Sequence, residues 1–166
     1  SAIEVIPPRA VLFMQDGGFT PAAYYDGSNA AHIRNNLFET PLGGPMVWIG
    51  DRLWIAKGGG VRASDVGNPF SFREETYLGG GDAFLFDSDV TAMAATPSLE
   101  IPQLLVFTET KCSILQANIR ARDAWPTTDN FQREIFNVGC TSQRSVVSHF
   151  GQLMWFSQSG IVFFDS

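Results

Sequence analysis

Two stretches of this chain are built alike, and their reading decides the fold: Asp51–Ser64, "DRLWIAKGGGVRAS", and Gly151–Phe164, "GQLMWFSQSGIVFF". Leu53 falls on Leu153, Gly60 on Gly160 and Val61 on Ile161, at a constant offset of 100 residues with no gap. Each copy is a strand-like run, a short polar or glycine turn and a second strand-like run. The first copy also carries the letters G-x-G-x-x-A from Gly58, a form of the dinucleotide phosphate-loop fingerprint. Such a loop needs a helix starting at its last glycine, whose N-terminus holds the pyrophosphate. Here the chain continues "VRASDVGNPF", with a β-branched residue at once and Gly67 and Pro69 soon after. The second copy has "SQSG" in the same place without the fingerprint. Gly58, Gly59 and Gly60, like Gly160, are therefore expected at hairpin turns, and no cofactor is expected.

Between the two copies lies "PQLLVFTETKCSIL", where Leu105 follows Leu53 by 52 residues and precedes Leu153 by 48. A weaker copy, "AVLFMQDGGFTPAAYYD", comes earlier. A period near 50 residues made of short strands points to an all-β chain of β-propeller blades, with few or no helices. About three blades fit, with repeats near 46–72, 98–117 and 138–166. Residues 45–166 form this portion, and residues 1–44 an N-terminal segment belonging to a preceding blade. Propellers carry four to eight blades. The expectation is thus part of a longer protein or an incomplete propeller. A β-sandwich with accidental similarity at three hairpins is the alternative fold.

The wider pattern agrees. Candidate strands are Ala10–Met14, Met46–Ile49, Arg52–Ala56, Val61–Ser64, Ala83–Phe86, Gln103–Thr108, Ser113–Ala117, Ile135–Val138, Ser145–His149, Leu153–Ser157 and Ile161–Phe164, each bounded by turn-forming residues. The 16 glycines and 9 prolines are spread along all 166 residues, which leaves little room for long helices. One helix is expected over Ser28–Leu37, capped by Ser28 or Asn29, and one further helical turn at Ala92–Ala95.

Composition sets limits on function. Hydrophobic residues make up 45% and charged residues 17%, enough to bury a core. The net charge of −6 disfavours a protein that grips DNA, although DNA could pass such a surface without sticking. Arg supplies nine of the eleven basic residues, a residue suited to interface ion pairs. The two cysteines, Cys112 and Cys140, form no C-x-x-C pair and are expected as buried free thiols. No apolar run reaches membrane-spanning length. The start, "SAIEVIPPRA", lacks signal-peptide character and is expected to be a processed end or the interior of a longer chain.

Catalytic constellations are missing from the sequence. "ASDVGNPF", Ala63–Phe70, approximates the Asp-box S-x-D-x-G-x-x-W, with Asp65 and Gly67 in place, Ala63 for Ser and Phe70 for Trp. That box is a turn lock between strands, so Asp65 and Gly67 are expected to be structural. Glu74, Glu75, Asp82, Asp87, Asp89 and Glu109 include no marked acid/base pair for a glycosidase. Asp87-x-Asp89 fails the calcium-loop pattern at Thr91 and Ala92. His32 and His149 have no metal-like spacing to the cysteines, and no metal is expected. Trp48, Trp54 and Trp155 beside the hairpins suit core packing better than sugar stacking. Trp125, in "DAWPTTD", is the candidate for a partner contact.

Three runs, "LLVFTETKCSIL" (Leu104–Leu115), "VGCTSQRSVV" (Val138–Val147) and "GQLMWFSQSGIVFFD" (Gly151–Asp165), resemble the β-propeller region of tailed-bacteriophage virion proteins. These are the tail-nozzle (tail tubular protein B) and packaged-DNA-stabilisation proteins. "GDRLWIAKGGGVRASDVGNPFSF" (Gly50–Phe72) resembles the preceding blade, so the likeness spans Pro45 to Asp165. It implies a non-enzymatic structural subunit of the tail or head–tail connector, in the virion and assembled in the host bacterial cytoplasm. Its partners would be other copies of itself in a ring, sixfold in that family, neighbouring virion proteins, and DNA passing without specific binding. No active-site residues carry over. The rival function is a glycan-binding or glycan-cleaving propeller of a receptor-binding tail component.

Overall fold

A computed structural model describes residues 11–34, 40–73, 83–97 and 100–165. Within these the chain is all-β: fourteen strands in four small antiparallel sheets, with two single-turn 3-10 segments at Arg122–Ala124 and Gln143–Ser145. Sheet I contains β1 (Leu12–Met14), β2 (Ala23–Tyr25) and β3 (Ala30–His32). Sheet II contains β4 (Met46–Ile49), β5 (Arg52–Lys57), β6 (Gly60–Ala63) and β7 (Ala83–Leu85). Sheet III contains β8 (Ala92–Ala95), β9 (Leu104–Phe107), β10 (Cys112–Leu115) and β11 (Gln132–Phe136). Sheet IV contains β12 (Val147–His149), β13 (Gln152–Ser157) and β14 (Gly160–Asp165). In every sheet each strand pairs with the next in sequence, so the chain is four successive meanders. No closed barrel or propeller is identified among the described residues. The number of meanders is four, against about three repeats expected, because the N-terminal segment builds a sheet of its own.

The 100-residue repeat is a repeat of register. In sheet II, Val47 pairs with Trp54, Trp48 with Leu53 and Ile49 with Arg52; in sheet IV, Val147 pairs with Met154, Ser148 with Leu153 and His149 with Gln152. The second hairpins match as well: Ala56 with Val61 and Lys57 with Gly60, then Phe156 with Ile161 and Ser157 with Gly160. Turn chemistry fixes this register. The first turns, Gly50–Asp51 and Phe150–Gly151, hold both residues at positive φ (60° and 59°; 45° and 77°). That is the geometry whose twist suits a two-residue hairpin.

Side chains alternate across each strand, and the sheets stack face to face. Leu53 and Ile55 of sheet II cluster with Phe13 of sheet I. The opposite face of sheet II, with Trp54, Ala56, Val61 and Ala63, packs on Met93, Leu104 and Val106 of sheet III. The far face of sheet III, with Ala94, Leu105, Phe107 and Ile114, packs on Leu153 and Trp155 of sheet IV. Calling the face toward the preceding sheet "a" and the other "b", each contact is a b face on the next a face.

Two helical expectations fail. Within Ser28–Leu37 the described part forms β3, paired with β2 from Ala23–His32 to Tyr25–Ala30. The Asp26 carboxylate takes the N–H groups of Ser28 and Asn29, closing a turn where a helix cap was expected. Residues 35–37 of that expectation lie outside the described residues. Ala92–Ala95 is β8, paired along its length with β9. Alanine favours helix in isolation, but here its small side chain admits close approach of sheets on both sides.

Candidate functional site

The two repeated hairpin tips meet other parts of the chain. At the first, Gly58 has φ +54°. The carbonyl of Gly59 accepts the N–H of Phe86, and that of Gly58 accepts the N–H of Val90. The tip is thereby sewn to the connection entering sheet III. At the second tip the left-handed position moves to Gly160, φ +124°, and the Ser157 hydroxyl donates to the Gly160 carbonyl at 2.9 Å. There Gln158 Nε2 donates to Glu109 Oε1 at 2.8 Å, on the loop between β9 and β10. Neither tip presents a helix N-terminus to a phosphate. Gly60, aligned with Gly160, begins β6.

At the other end of the same hairpin, beside the β4–β5 turn, runs the Asp-box-like loop. Asp65 Oδ1 accepts the backbone N–H of Arg73 at 3.1 Å, and the Asp65 N–H donates to Ser71 at 2.7 Å. Gly67, at φ +71°, donates its N–H to the Asp51 carbonyl at 2.7 Å, tying the loop to the β4–β5 turn. Ser64, which sequence reading passed over, takes the Leu53 N–H on its hydroxyl at 2.8 Å and donates to the Asp65 carbonyl.

Trp125 is placed differently from its expected role. Its Pro- and acid-flanked setting suggested a surface loop, yet it is 3% exposed. Its indole N–H donates to the Ile119 carbonyl at 2.8 Å, and its ring packs on Trp54, Phe84 and Phe131 with centroids 5.4–5.7 Å apart. The acids flank it because the 3-10 turn turns them outward while the ring fills the space between sheets II and III. Arg52 lies over this ring at 4.9 Å, buried, donating to the carbonyls of Ser64 (2.6 Å) and Arg120 (2.7 Å). Burial pushes its pKa down to about 10, with Asp65 acting against the shift, so the guanidinium stays charged at neutral pH.

A further junction escaped sequence reading. The Gln143 side chain accepts the Met93 N–H at 2.7 Å and donates to the Met93 carbonyl at 3.0 Å, completing the open edge of β8 as another strand would. Thr91 Oγ1 donates to the Cys140 carbonyl, and the Cys140 N–H donates to the Thr108 carbonyl. Gly139 passes so close to the backbone of Thr108 and Glu109 that a Cβ has no room. Single Gln and Gly residues carry no periodic signal, so neither could be singled out in advance. Cys112 and Cys140 are buried free thiols in the core between sheets III and IV. Burial, with Cys140 nearby, pushes the Cys112 thiol well up from its usual range.

No family model, curated protein or solved structure matches the chain. Its surface chemistry therefore has to be judged by itself. An open groove of about 280 Å³ is lined by Phe86, Asp87, Thr108, Lys111, Gln132 and Glu134. Lys111 Nζ sits 2.9 Å from Glu134 and 3.5 Å from Asp87. Glu134, then Asp87, raise the Lys111 pKa. Two carboxylates thus line one groove, and the Lys111 ammonium is paired with both. Glu74, Glu75 and Asp82 lie outside the described residues. No cluster of three or more metal-ligating side chains occurs among the described residues. No helix there is long and apolar enough to cross a membrane. Trp54 and Trp155 are core residues, while Trp48 is half exposed.

Among the described residues, the b face of sheet IV carries several exposed apolar side chains. Val147, Met154 and Phe163 lie opposite one another across its three strands, with Phe156 and Ile161 as the adjacent pair. Phe156, Ile161 and Phe163 are 52%, 63% and 63% exposed.

Proposed function

We propose that the chain is a structural, non-enzymatic subunit of a tailed-bacteriophage virion, a propeller-like component of the tail or head–tail connector that serves assembly and genome passage. The observation that carries this reading is the 100-residue repeat, which recurs as two meanders of identical register and coincides with the runs resembling phage tail propellers. Stacked meanders make a stiff platform, since each sheet buries its neighbour's apolar face. The net charge of −6 gives a surface that repels phosphate and lets DNA pass. Partners on this reading are other copies of the chain and adjoining virion proteins, and no cofactor or metal takes part. The test is mass spectrometry and electron microscopy of purified particles from the source phage. Peptides of this chain in the particle fraction, mapped to ring density near the portal, are expected. Their confinement to the soluble fraction of the infected lysate would overturn the reading.

A second reading, glycan binding, is favoured by one observation, the half-exposed indole of Trp48 on the a face of sheet II. It predicts quenching or shift of tryptophan emission on adding host-surface glycans, and loss of that change in Trp48→Ala. Unchanged emission across a glycan panel would remove it.

A further inference from the structure

We infer that the polar groove between the outer strands of sheets II and III is a binding site for a small, neutral, polyhydroxylated ligand the size of one hexose unit. The inference depends on neither reading above, since it needs no particle and does not involve Trp48.

Two junctions of the same kind show that the groove is built rather than left over. Between sheets III and IV the outer strands close on apolar side chains. Phe136 of β11 meets Phe164 of β14 edge to face, ring centroids 5.7 Å apart, and Ile135 and Val162 pack on the core beneath. At the matching place between sheets II and III the chain leaves an open space of about 280 Å³, lined by Asp87, Ser88, Lys111, Ser113, Gln132 and Glu134 among others. Its walls are fastened to each other. Gln132 Nε2 donates to the Leu85 carbonyl at 3.0 Å, which ties β11 to β7. Lys111 Nζ, 2.9 Å from Glu134 Oε2 and 3.5 Å from Asp87 Oδ2, ties the entry of β10 to the chain leaving β7. Polar groups fixed in advance cost little ordering entropy when a ligand arrives.

The lining selects the ligand class. Each carboxylate meets Lys111 through one oxygen, and Asp87 Oδ1 and Glu134 Oε1 take no hydrogen bond among the described residues. These oxygens accept hydroxyl protons, while the Lys111 ammonium and the Ser88 and Ser113 hydroxyls donate to hydroxyl oxygens. A sugar hydroxyl does both, so one ring can use donors and acceptors together. Leu85, 75% exposed in the same lining, offers an apolar surface to ring C–H groups. One ammonium and two carboxylates leave the lining with a formal charge of −1, which opposes phosphate, sulfate and carboxylate ligands. A ligand cation would meet carboxylates already paired with Lys111, and gains little there.

NMR titration of the 15N-labelled chain tests this, with glucose, galactose, mannose and N-acetylglucosamine as probes and sulfate and spermidine as charged controls. At least one sugar is expected to shift the amides of Lys111, Ser113 and Glu134 saturably, with a Kd of about 1 mM. Glu134→Gln is expected to weaken that binding about tenfold, as loss of one charge-assisted hydrogen bond does. Ser113→Ala should lose less, and Trp48→Ala nothing. Unchanged circular dichroism shows that the variants are folded, and Asp87→Asn, on the exposed side of the groove, replaces Glu134→Gln if that variant is not. A disaccharide ending in the best sugar separates two sources of the ligand: tighter binding than the free sugar indicates a glycan chain, equal binding a free sugar, and either upholds the inference. No saturable shift with any of the sugars, shifts undiminished in Glu134→Gln, or a stronger response to sulfate or spermidine would overturn it.

Discussion

Val61 is fully buried and Ile161 is 63% exposed, although both sit at the same place in the same meander. Sheets II and IV share strand lengths at β5 and β13, turn positions and register, and differ in what lies over their b faces. Sheet II answers its neighbour with small residues, Ala56 and Ala63, around one large ring, Trp54. Sheet IV has Met154, Phe156 and Phe163 there, larger and more uniform apolar groups with no sheet packed on them among the described residues. Register is therefore set by local turn chemistry and alternation, and residue size by the covering partner.

The largest expected break in the comparison comes from truncating the covered face. Trp54→Ala should cost about 3–5 kcal/mol, the range for large aromatic-to-alanine changes in cores. Met154→Ala, at the half-buried counterpart, should cost less, about 1 kcal/mol, the centre of the range for single substitutions. Urea unfolding of the dilute chain measures both, and equal losses would show that the two faces are equally covered.

Next comes the polar end of the same row. Arg52→Leu leaves the buried carbonyls of Ser64 and Arg120 without this donor, about 1–3 kcal/mol for each. Gln152→Leu, at the equivalent exposed position, should shift the urea midpoint little. Arg52 was legible only as one of nine arginines suited to ion pairs. That it would point inward, at carbonyls and a tryptophan ring, depends on Trp125 coming from a distant loop.

Smaller still is the turn. Gly50→Ala combines a left-handed φ with the Ala117 carbonyl, so a loss above about 2 kcal/mol is expected. Gly151→Ala, at φ +77° with open space around it, should lose about 1–2 kcal/mol. Thermal melts at low protein concentration separate them.

The sequence made the strands that alternate or repeat readable. All eleven candidate strands overlap observed ones, Met46–Ile49 with the same ends. Three were absent from that list: β3 and β8, built on alanine, whose propensity points elsewhere and whose placement depends on neighbouring sheets, and β2, the three-residue run Ala23-Tyr24-Tyr25. Hairpin tips were legible from their glycines, but not that Gly58 would be bonded to Phe86 and Val90. Trp125 misled because local polarity says nothing about a cavity formed by two other sheets. The apolar b face of sheet IV was present in the letters "MWFSQSGIVFF", yet only the three-dimensional stack shows that Phe156, Ile161 and Phe163 are more than half exposed.

Thiol chemistry gives the mildest check of the core between sheets III and IV. Cys112 and Cys140 are buried, and the raised Cys112 pKa lowers its thiolate fraction. Both should react with a thiol reagent only as fast as the chain opens, and much faster in denaturant. Rapid labelling of the native chain would contradict that packing.

Hydroxyl-radical footprinting of the dilute chain tests the central claim most directly, that sheets II and IV share one register and differ in how far their b faces are covered. Phe156 and Phe163 should be reactive, while buried Trp54, on the equivalent face of sheet II, stays unreactive. Protection of Phe156 and Phe163 as complete as that of Trp54 would contradict it.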